Sequence, residues 1–520
     1  MAICRSMGGF KWLEVLDVKR AIANLRSIEF HEDWHHDPWG WPELEFLFST
    51  EPETLLDHLN STKVFRAAMV DVPKENWGVR PAVVLNVLDR LTYQALVDQL
   101  SLNLIGDLSP SVYGWRLPPT PKGRGEYSQN RIQWEAYRDH LSEVSGWFHS
   151  GLRSDLVSCF ASIPIDLVSE AIDDRAPKGE VKHRLVSFLE GISEMPGRSG
   201  LPQRSIASAV IANMYLRPLD DVLEYYAHEI PGIRLIGEKR KAQRRSWTRW
   251  MDDIWLFGTE PSELRKAQID LQDVARSLGM YINSSKTEVL EEERLWEVVL
   301  QIEHSAVDGA LENENDAKPL ESLVDRLLED PVQAPRTSVK FAINRMRKHK
   351  RSYRIEDILR AADKMPHVAD ALAPLLRERV QQGSLQDWFL EYVDGGWSSL
   401  QWAIAQYLRL FPNSPRPRKQ VREYVSSLIA DTDTSLPLLA VASQRLCSWD
   451  PPEARAVFRQ VAARHEHPHS RRVIALASLT AGEQRATIRR WLKQEDNYVT
   501  LRMLQDRNFT APKLDKAFAR

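Results

Sequence analysis

Asp252 and Asp253 stand side by side in RWMDDIWLF, with Trp250-Met251 before them and Ile254-Trp255-Leu256-Phe257 after. Asp155 ends a second short apolar stretch, in LRSDLV. Adjacent like charges at the tip of a hydrophobic hairpin are unfavourable without counter-charge, because burial and repulsion both oppose ionisation. A divalent cation resolves that conflict. Phosphoryl transfer from a nucleoside triphosphate needs charge neutralised at the attacking hydroxyl, the phosphorus and the leaving pyrophosphate. Two Mg2+ ions about 3.5–4 Å apart supply it, and their ligands are hard oxygen donors on rigid elements. A solvent-exposed Asp-Asp turn is the ordinary alternative for the pair, and Asp155 by itself is equally ordinary. His31, His35, His36 and Asp37 could also suggest a metal site. Nothing local orders them around an ion, so packing and capping roles are expected.

The elements that would position these aspartates follow from periodicity and turn signals. SWTRWMDDIWLFG reads as two strands turning at the aspartates, and LRSDLVSCFASI as a strand and turn before a helix near Pro164. Residues 12–26 read as a helix, from Leu13, Val15, Val18, Ile22 and Leu25. RAAMVDVPKENWGVRPAVVLNVLDRL reads as two short strands about a turn at Gly78, with a helix from about Val87. SIASAVIANMYLRPLDDVLEYYA is expected as one long amphipathic helix bent near Pro218. A basic hairpin-like stretch with Arg234, Lys239, Arg240, Lys241, Arg244 and Arg245 precedes the acidic turn. Residues 261–278 form a helix that Gly279 caps. The plan is α+β, an antiparallel sheet with helices on one face. Acid-rich residues 303–330 mark the expected domain boundary, beyond which short helices suggest stacked helical pairs.

Composition excludes several classes. With 43% hydrophobic and 27% charged residues, the 520-residue chain has the make-up of a soluble globular protein of two to four domains. A net charge of -3 means that any nucleic acid must be held by local positive surfaces. Cys4, Cys159 and Cys447 are too few and too scattered for a disulfide framework or a cysteine zinc site. The N-terminus meets charge too early for a secretory signal, and no run of about 18 apolar residues suggests a membrane span. A cytoplasmic protein without membrane contact is expected.

Five segments, in one order, resemble the motifs of reverse transcriptases, particularly bacterial enzymes related to group II intron and retron polymerases. VPKENWGVRP with LDR at 88–90 resembles the fingers segment, and SDLVSCFASI the first catalytic motif. GLPQRSIASAVIANMYLRPLD resembles the substrate-binding loop and helix, RWMDDIWLF the aromatic-x-Asp-Asp hairpin, and LGMYINSSKTEVL the lysine-containing motif. The resemblance implies right-hand fingers and palm with an antiparallel catalytic sheet, followed by an all-α thumb and a helical-repeat domain. In numbers, 1–60 would be an N-terminal helical extension, 61–300 fingers and palm, 301–350 a linker with thumb-like helices, and 351–520 a C-terminal repeat-like region. It carries metal binding and catalysis to Asp155, Asp252 and Asp253, with two Mg2+ ions for which Mn2+ could substitute. Lys74, Arg80 and Lys286 would meet the triphosphate. Phe160 would pack beneath the sugar and reject a 2′-hydroxyl, and Gln203 would approach the nucleotide or template.

The sequence departs from that pattern in places. Pro202-Gln203-Arg204 stands where the family has Pro-Gln-Gly. Arginine takes a positive φ less cheaply than glycine, so the loop follows another path or Arg204 contributes a phosphate or base contact. Trp250 replaces the usual tyrosine, and Ala161 stands where many relatives have aspartate. After the polymerase core come about 190 mostly helical residues, with neither a maturase, a nuclease nor an RNase H domain evident. That layout resembles abortive-infection and defence-associated bacterial reverse transcriptases. It implies an RNA-directed DNA polymerase, a nucleotidyltransferase, acting in antiphage defence on dNTPs. An RNA template or non-coding RNA would be bound and DNA made, with a homo-oligomer or partner defence protein compatible. Template-independent, protein-primed synthesis is an alternative, for which Tyr353, Tyr392, Tyr407, Tyr424 and Tyr498 are chemically able acceptors. An inactive polymerase fold serving as an RNA-binding or assembly module is another. In the tail, FAINRMRKHKRSYR at 341–354 offers a basic helical face. Arg464 with His469 has the R-x4-H spacing of HEPN ribonucleases, as Arg459 with His465 nearly does.

Overall fold

A computed structural model describes residues 15–26, 34–50, 67–195, 200–230, 244–314, 316–493, 497–510 and 512–518. Cys4, His31, Arg234, Lys239, Arg240 and Lys241 lie outside the described residues. The architecture is mixed α/β, mostly helical with a small sheet. Strands are β1 (Ala68–Pro73), β2 (Val79–Val84), β3 (Val112–Tyr113), β4 (Ser150–Ser154), β5 (Trp247–Trp250), β6 (Asp253–Gly258) and β7 (Glu288–Glu291). Contacts divide the chain into two compact units: residues 1–29, 58–65 and 88–305 in one, and residues 30–57, 66–87 and 306–520 in the other.

The first unit is built on a sheet of order β3-β5-β6-β4-β7. Four of its strands are antiparallel as the sequence suggests, but β3 joins β5 in parallel, so that edge is mixed. The Ser111 carbonyl, accepting from Arg249 N–H and Thr248 Oγ1 (both 3.0 Å), fixes this edge. One face of the sheet buries Trp255, Phe257 and Leu290 against Tyr137, Leu141 and Val144 of the Asn130–Ser145 helix and Leu295 and Val299 of the Glu292–Leu300 helix. The Pro261–Ser277 helix packs on β4 and β6, burying Leu264, Ala267, Leu271 and Ala275, a spacing of three to four residues that makes one helical face. Gly279 ends it at φ +66°, as its C-capping role requires. The expected long helix at 205–227 is two, Ile206–Tyr215 and Arg217–Tyr226, because Pro218 starts a new helix rather than bending an old one. Of the helix expected over 12–26, residues 12–14 lie outside the described residues, and the described helix is Val18–Asn24, with Asp17 accepting from Arg20 N–H at 2.9 Å.

Among the described residues the second unit is helical apart from the β1–β2 hairpin. The Leu436–Trp449 helix is buried at every position but Ser448, whereas Lys419–Ala430 buries only Val421, Val425 and Ile429. An inner row of apolar helices is thus covered by amphipathic ones. Residues 34–50 belong to this unit through a buried ion cluster. Arg472 donates to Glu43 (2.7 and 2.8 Å) and to Asp37 (3.3 and 3.0 Å). Burial pushes the Asp37 carboxyl up, but the Arg472 guanidinium outweighs it and holds the carboxyl below its usual range. His35 packs on Trp41 and His36 faces Asp515 at 3.3 Å, the packing roles expected of them. Replacing Arg472 would strand two buried carboxylates. Arg472→Met should therefore cost about 3–5 kcal/mol in urea unfolding, and adding Asp37→Asn and Glu43→Gln should recover much of it.

Candidate active site

The acidic turn is a tight hairpin. Trp250 pairs with Asp253, leaving Met251 and Asp252 as a two-residue loop. Met251 has φ +55°, a left-handed conformation that costs a non-glycine residue roughly 1–2 kcal/mol. Arg249, fully buried, holds the loop from beneath. Its Nε and Nη2 donate to the Asp220 carboxylate (2.6 and 2.8 Å), and its Nη1 donates to Asn213 Oδ1 and the Met251 carbonyl (both 3.1 Å). Asn213 Nδ2 in turn donates to the Gly114 carbonyl at 3.0 Å. Gly114 leaves room for the indole of Trp250, which a Cβ there would approach to 3.3 Å. Trp134 meets that indole edge-on at 5.1 Å, and Tyr137 lies 5.7 Å away.

Register brings Asp155 to this turn. Ser154 pairs with Ile254, so Asp155 comes one step beyond, at the end of β6 that carries Asp253. The following motif runs alongside: Val157 N–H donates to the Tyr281 carbonyl (2.9 Å) and Asn283 N–H to the Asp155 carbonyl (2.7 Å). Asn283 Nδ2 donates to Asp155 Oδ2 at 3.0 Å, and Lys286 Nζ stands 3.3 Å from the same oxygen. Asp253 Oδ2 accepts from the Tyr137 hydroxyl at 2.6 Å. Burial and the Asp155 carboxylate push the Asp252 carboxyl up to about 6. Burial also raises Asp253, against the hydroxyl of Tyr137. Burial, with the Asp252 carboxylate adding to it, holds the Cys159 thiol protonated.

In kind, the donors suit a hard divalent cation, which would relieve carboxylates that burial and proximity make costly to ionise. The arrangement itself is open. Among the described residues no three His, Cys, Asp or Glu side chains form a ready metal cage, and Asp155 and Asp253 bond to Asn283 and Tyr137 instead.

The remaining candidates fall into two places. Phe160 is bonded to the loop that goes on to carry Gln203 and Arg204: Leu201 N–H donates to the Phe160 carbonyl at 2.7 Å. Gly200 (φ +70°) permits this approach, since a Cβ there would run into the Phe160 carbonyl oxygen. Arg204 keeps φ +59° despite its side chain, so arginine occupies the left-handed position that the family gives to glycine. Phe160 and Gln203 are half-buried and Arg204 is exposed. Lys74 and Arg80 belong to the second unit, on the β1–β2 hairpin. Arg80 there sits over the Trp34 ring, 5.5 Å from its centroid.

Sequence reasoning missed Tyr137, Asn283 and the Asp220–Arg249 pair. Arg249 left a signal, a charge inside an apolar strand, which usually means a buried partner. Nε2 of buried His465 bonds the Ile429 carbonyl (3.0 Å), and Arg459 pairs with Glu483, so structural contacts occupy both side chains of the nearly matching Arg459–His465 spacing. In the basic stretch, Arg345, Arg347 and Lys348 face Asp308, Glu378 and Glu312 (each 2.7 Å), and Arg354 faces Asp325 (2.9 Å).

Residues 72–321 match the family model for reverse transcriptase (RNA-dependent DNA polymerase). Over 214 residues the chain is 25% identical to the uncharacterized 91 kDa protein in cob intron of Schizosaccharomyces pombe, covering 40% of this chain and 25% of that protein. Over 263 residues it is 24% identical to the putative COX1/OXI3 intron 1 protein of Saccharomyces cerevisiae, covering 42% and 30%. The chain thus spans less than a third of the length of these curated relatives. The matched residues 72–321, a reverse transcriptase domain by that model, contain all three aspartates.

Proposed function

We propose that the chain is an RNA-directed DNA polymerase acting in bacterial antiphage defence, transferring dNMP units to a 3′-hydroxyl or a protein hydroxyl. The observation that carries the catalytic reading is the meeting of Asp155, bonded to Asn283 and Lys286, with the Asp252–Asp253 turn inside a reverse transcriptase domain. The defence reading is supported by layout, since helices alone follow β7 among the described residues, as in the abortive-infection polymerases. Tyr392 and Tyr407 are buried. Those two hydroxyls are poorly placed as primers, which favours a nucleic-acid 3′-hydroxyl over them.

Asp155 and Asp252 would hold Mg2+, with Asp253 beside them. The bound ions would activate the attacking hydroxyl and offset phosphate charge. Lys286, exposed next to Asp155, is suited to meet charge gathering on the pyrophosphate. Lys74 and Arg80 would neutralise the triphosphate, Gln203 and Arg204 would contact nucleotide or template, and the Phe160 ring would exclude a 2′-hydroxyl.

Asp155→Asn and Asp252→Asn should each lower incorporation of labelled dNMP on a primed RNA template on the order of a thousandfold with unfolding midpoints retained, and Asp252→Asn should abolish protection in phage plating. Wild-type incorporation by Asp252→Asn would end the catalytic reading, and full plating efficiency on the unmutated protein the defence reading. Phe160→Ala should raise use of rNTPs relative to dNTPs about ten- to hundredfold in kcat/KM. Tyr137→Phe removes one hydrogen bond to Asp253 and keeps the ring. It should shift half-saturating Mn2+, read by magnetic resonance of the free ion, by about tenfold; an unmoved midpoint would show that Tyr137 only packs.

A further inference from the structure

The second unit joins stretches far apart in sequence: the β1–β2 hairpin, residues 34–50 and the C-terminal helices. The hairpin tip is held from several sides. Asn76 N–H donates to the Val332 carbonyl at 3.1 Å, and Glu75 Oε1 accepts from the Arg336 backbone N–H at 3.0 Å. The Trp77 ring lies 5.1 Å from that of Trp397. Asn76 and Trp77 have φ +55° and +57°, a strained pair for residues other than glycine, so contacts outside the turn must keep it. On β2, Arg80 lies over the Trp34 ring, and Arg336 lies over the same ring at 5.8 Å. Arg336 is itself fixed, with Nη2 donating to Asp370 (2.7 Å) and Nη1 to the His367 carbonyl. Trp34 is fixed too, its carbonyl accepting from Trp402 Nε1 at 2.9 Å. One arginine of the C-terminal region therefore serves the hairpin in two ways. Its backbone holds Glu75 at the tip, and its side chain shares Trp34 with Arg80.

We infer that the C-terminal helical region is part of the nucleotide-handling apparatus, with Trp34, Arg336 and Trp397 as positioning residues for Lys74 and Arg80. This rests on the roles proposed above for those two cations. A cation on a loose hairpin must be ordered at each encounter with a triphosphate; one already held in place loses less freedom on binding. The helices following the polymerase domain thus set the affinity for dNTP, although none of these three residues need touch the nucleotide.

Steady-state extension of a primed RNA template by the full chain separates KM for dNTP from kcat. Trp397 is 41% exposed, so Trp397→Ala breaks the ring pair with little harm to the core. It should raise KM for dNTP about two- to tenfold, the range that loss of an aromatic pair gives. The kcat and Mg2+ dependence should stay as they are, and Trp397→Phe should restore KM. Trp397→Leu, which keeps apolar bulk, should behave like Trp397→Ala and covers the case in which that variant folds poorly. Lys74→Ala is the reference. If it raises KM while Trp397→Ala and Trp397→Leu stay at the wild-type value, the inference is overturned and the nucleotide role of the hairpin stands. If Lys74→Ala also leaves KM unchanged, the hairpin's role falls first and the inference with it.

Discussion

Asp155 stands close enough to Asp252 and Asp253, at the ends of β4 and β6, to raise their affinity for protons. Negative charge so concentrated persists only where something nearby offsets it. Lys286 and Asn283 do so at Asp155, and Tyr137 at Asp253. Asp252, at the loop position, feels burial and both neighbours, and its carboxyl rises to about 6. The backbone beneath it carries its own cost in the left-handed Met251, and the Arg249–Asp220 pair answers it by bonding the Met251 carbonyl. A buried ion pair adds little net stability by itself, but it fixes geometry, which is what an acidic turn requires.

The local part of this arrangement was legible in the sequence. RWMDDIWLF could only be a hairpin with its charges at the tip, because apolar residues flank the pair on both sides. The run of strand, turn and helix from residue 150 and the helix ended by Gly279 follow from periodicity and capping alone. That Lys286 ends beside Asp155 was not legible: the resemblance placed it only near a triphosphate, and spacing within 278–290 says nothing about residue 155. Tyr137 was not legible at all. It lies in an ordinary amphipathic helix, and its hydroxyl matters only because 116 residues later the chain brings Asp253 to it.

The hairpin of Lys74 and Arg80 marks a second limit. As sequence it reads as the beginning of the polymerase core, joined directly to the helix that starts at Val87. In space its contacts are with residues beyond 306 and with Trp34. Short strands with one apolar face announce that they need a cover, but not which part of the chain supplies it. The first unit ends at Ser305, inside the acid-rich run at 303–330. The chain's return from that boundary to the hairpin left no local trace.

Arg204 shows why a residue-type rule states a cost and not an outcome. Glycine is favoured at positive φ because a side chain there costs roughly 1–2 kcal/mol, and the sequence alone left open whether the loop would take another path. The loop keeps the left-handed step at Arg204, φ +59°. On one side Leu201 is bonded to Phe160 across Gly200, and on the other Ser205 begins the Ile206–Tyr215 helix. With both ends fixed, few backbone routes remain, and the strain of one arginine is smaller than that of breaking either anchor. Trp250 follows the same logic. An indole fits where the family has a smaller phenol because Gly114 opposite carries no side chain and Trp134 closes the far edge. In both cases the backbone conformation is set by its anchors and the larger side chain is accommodated around it.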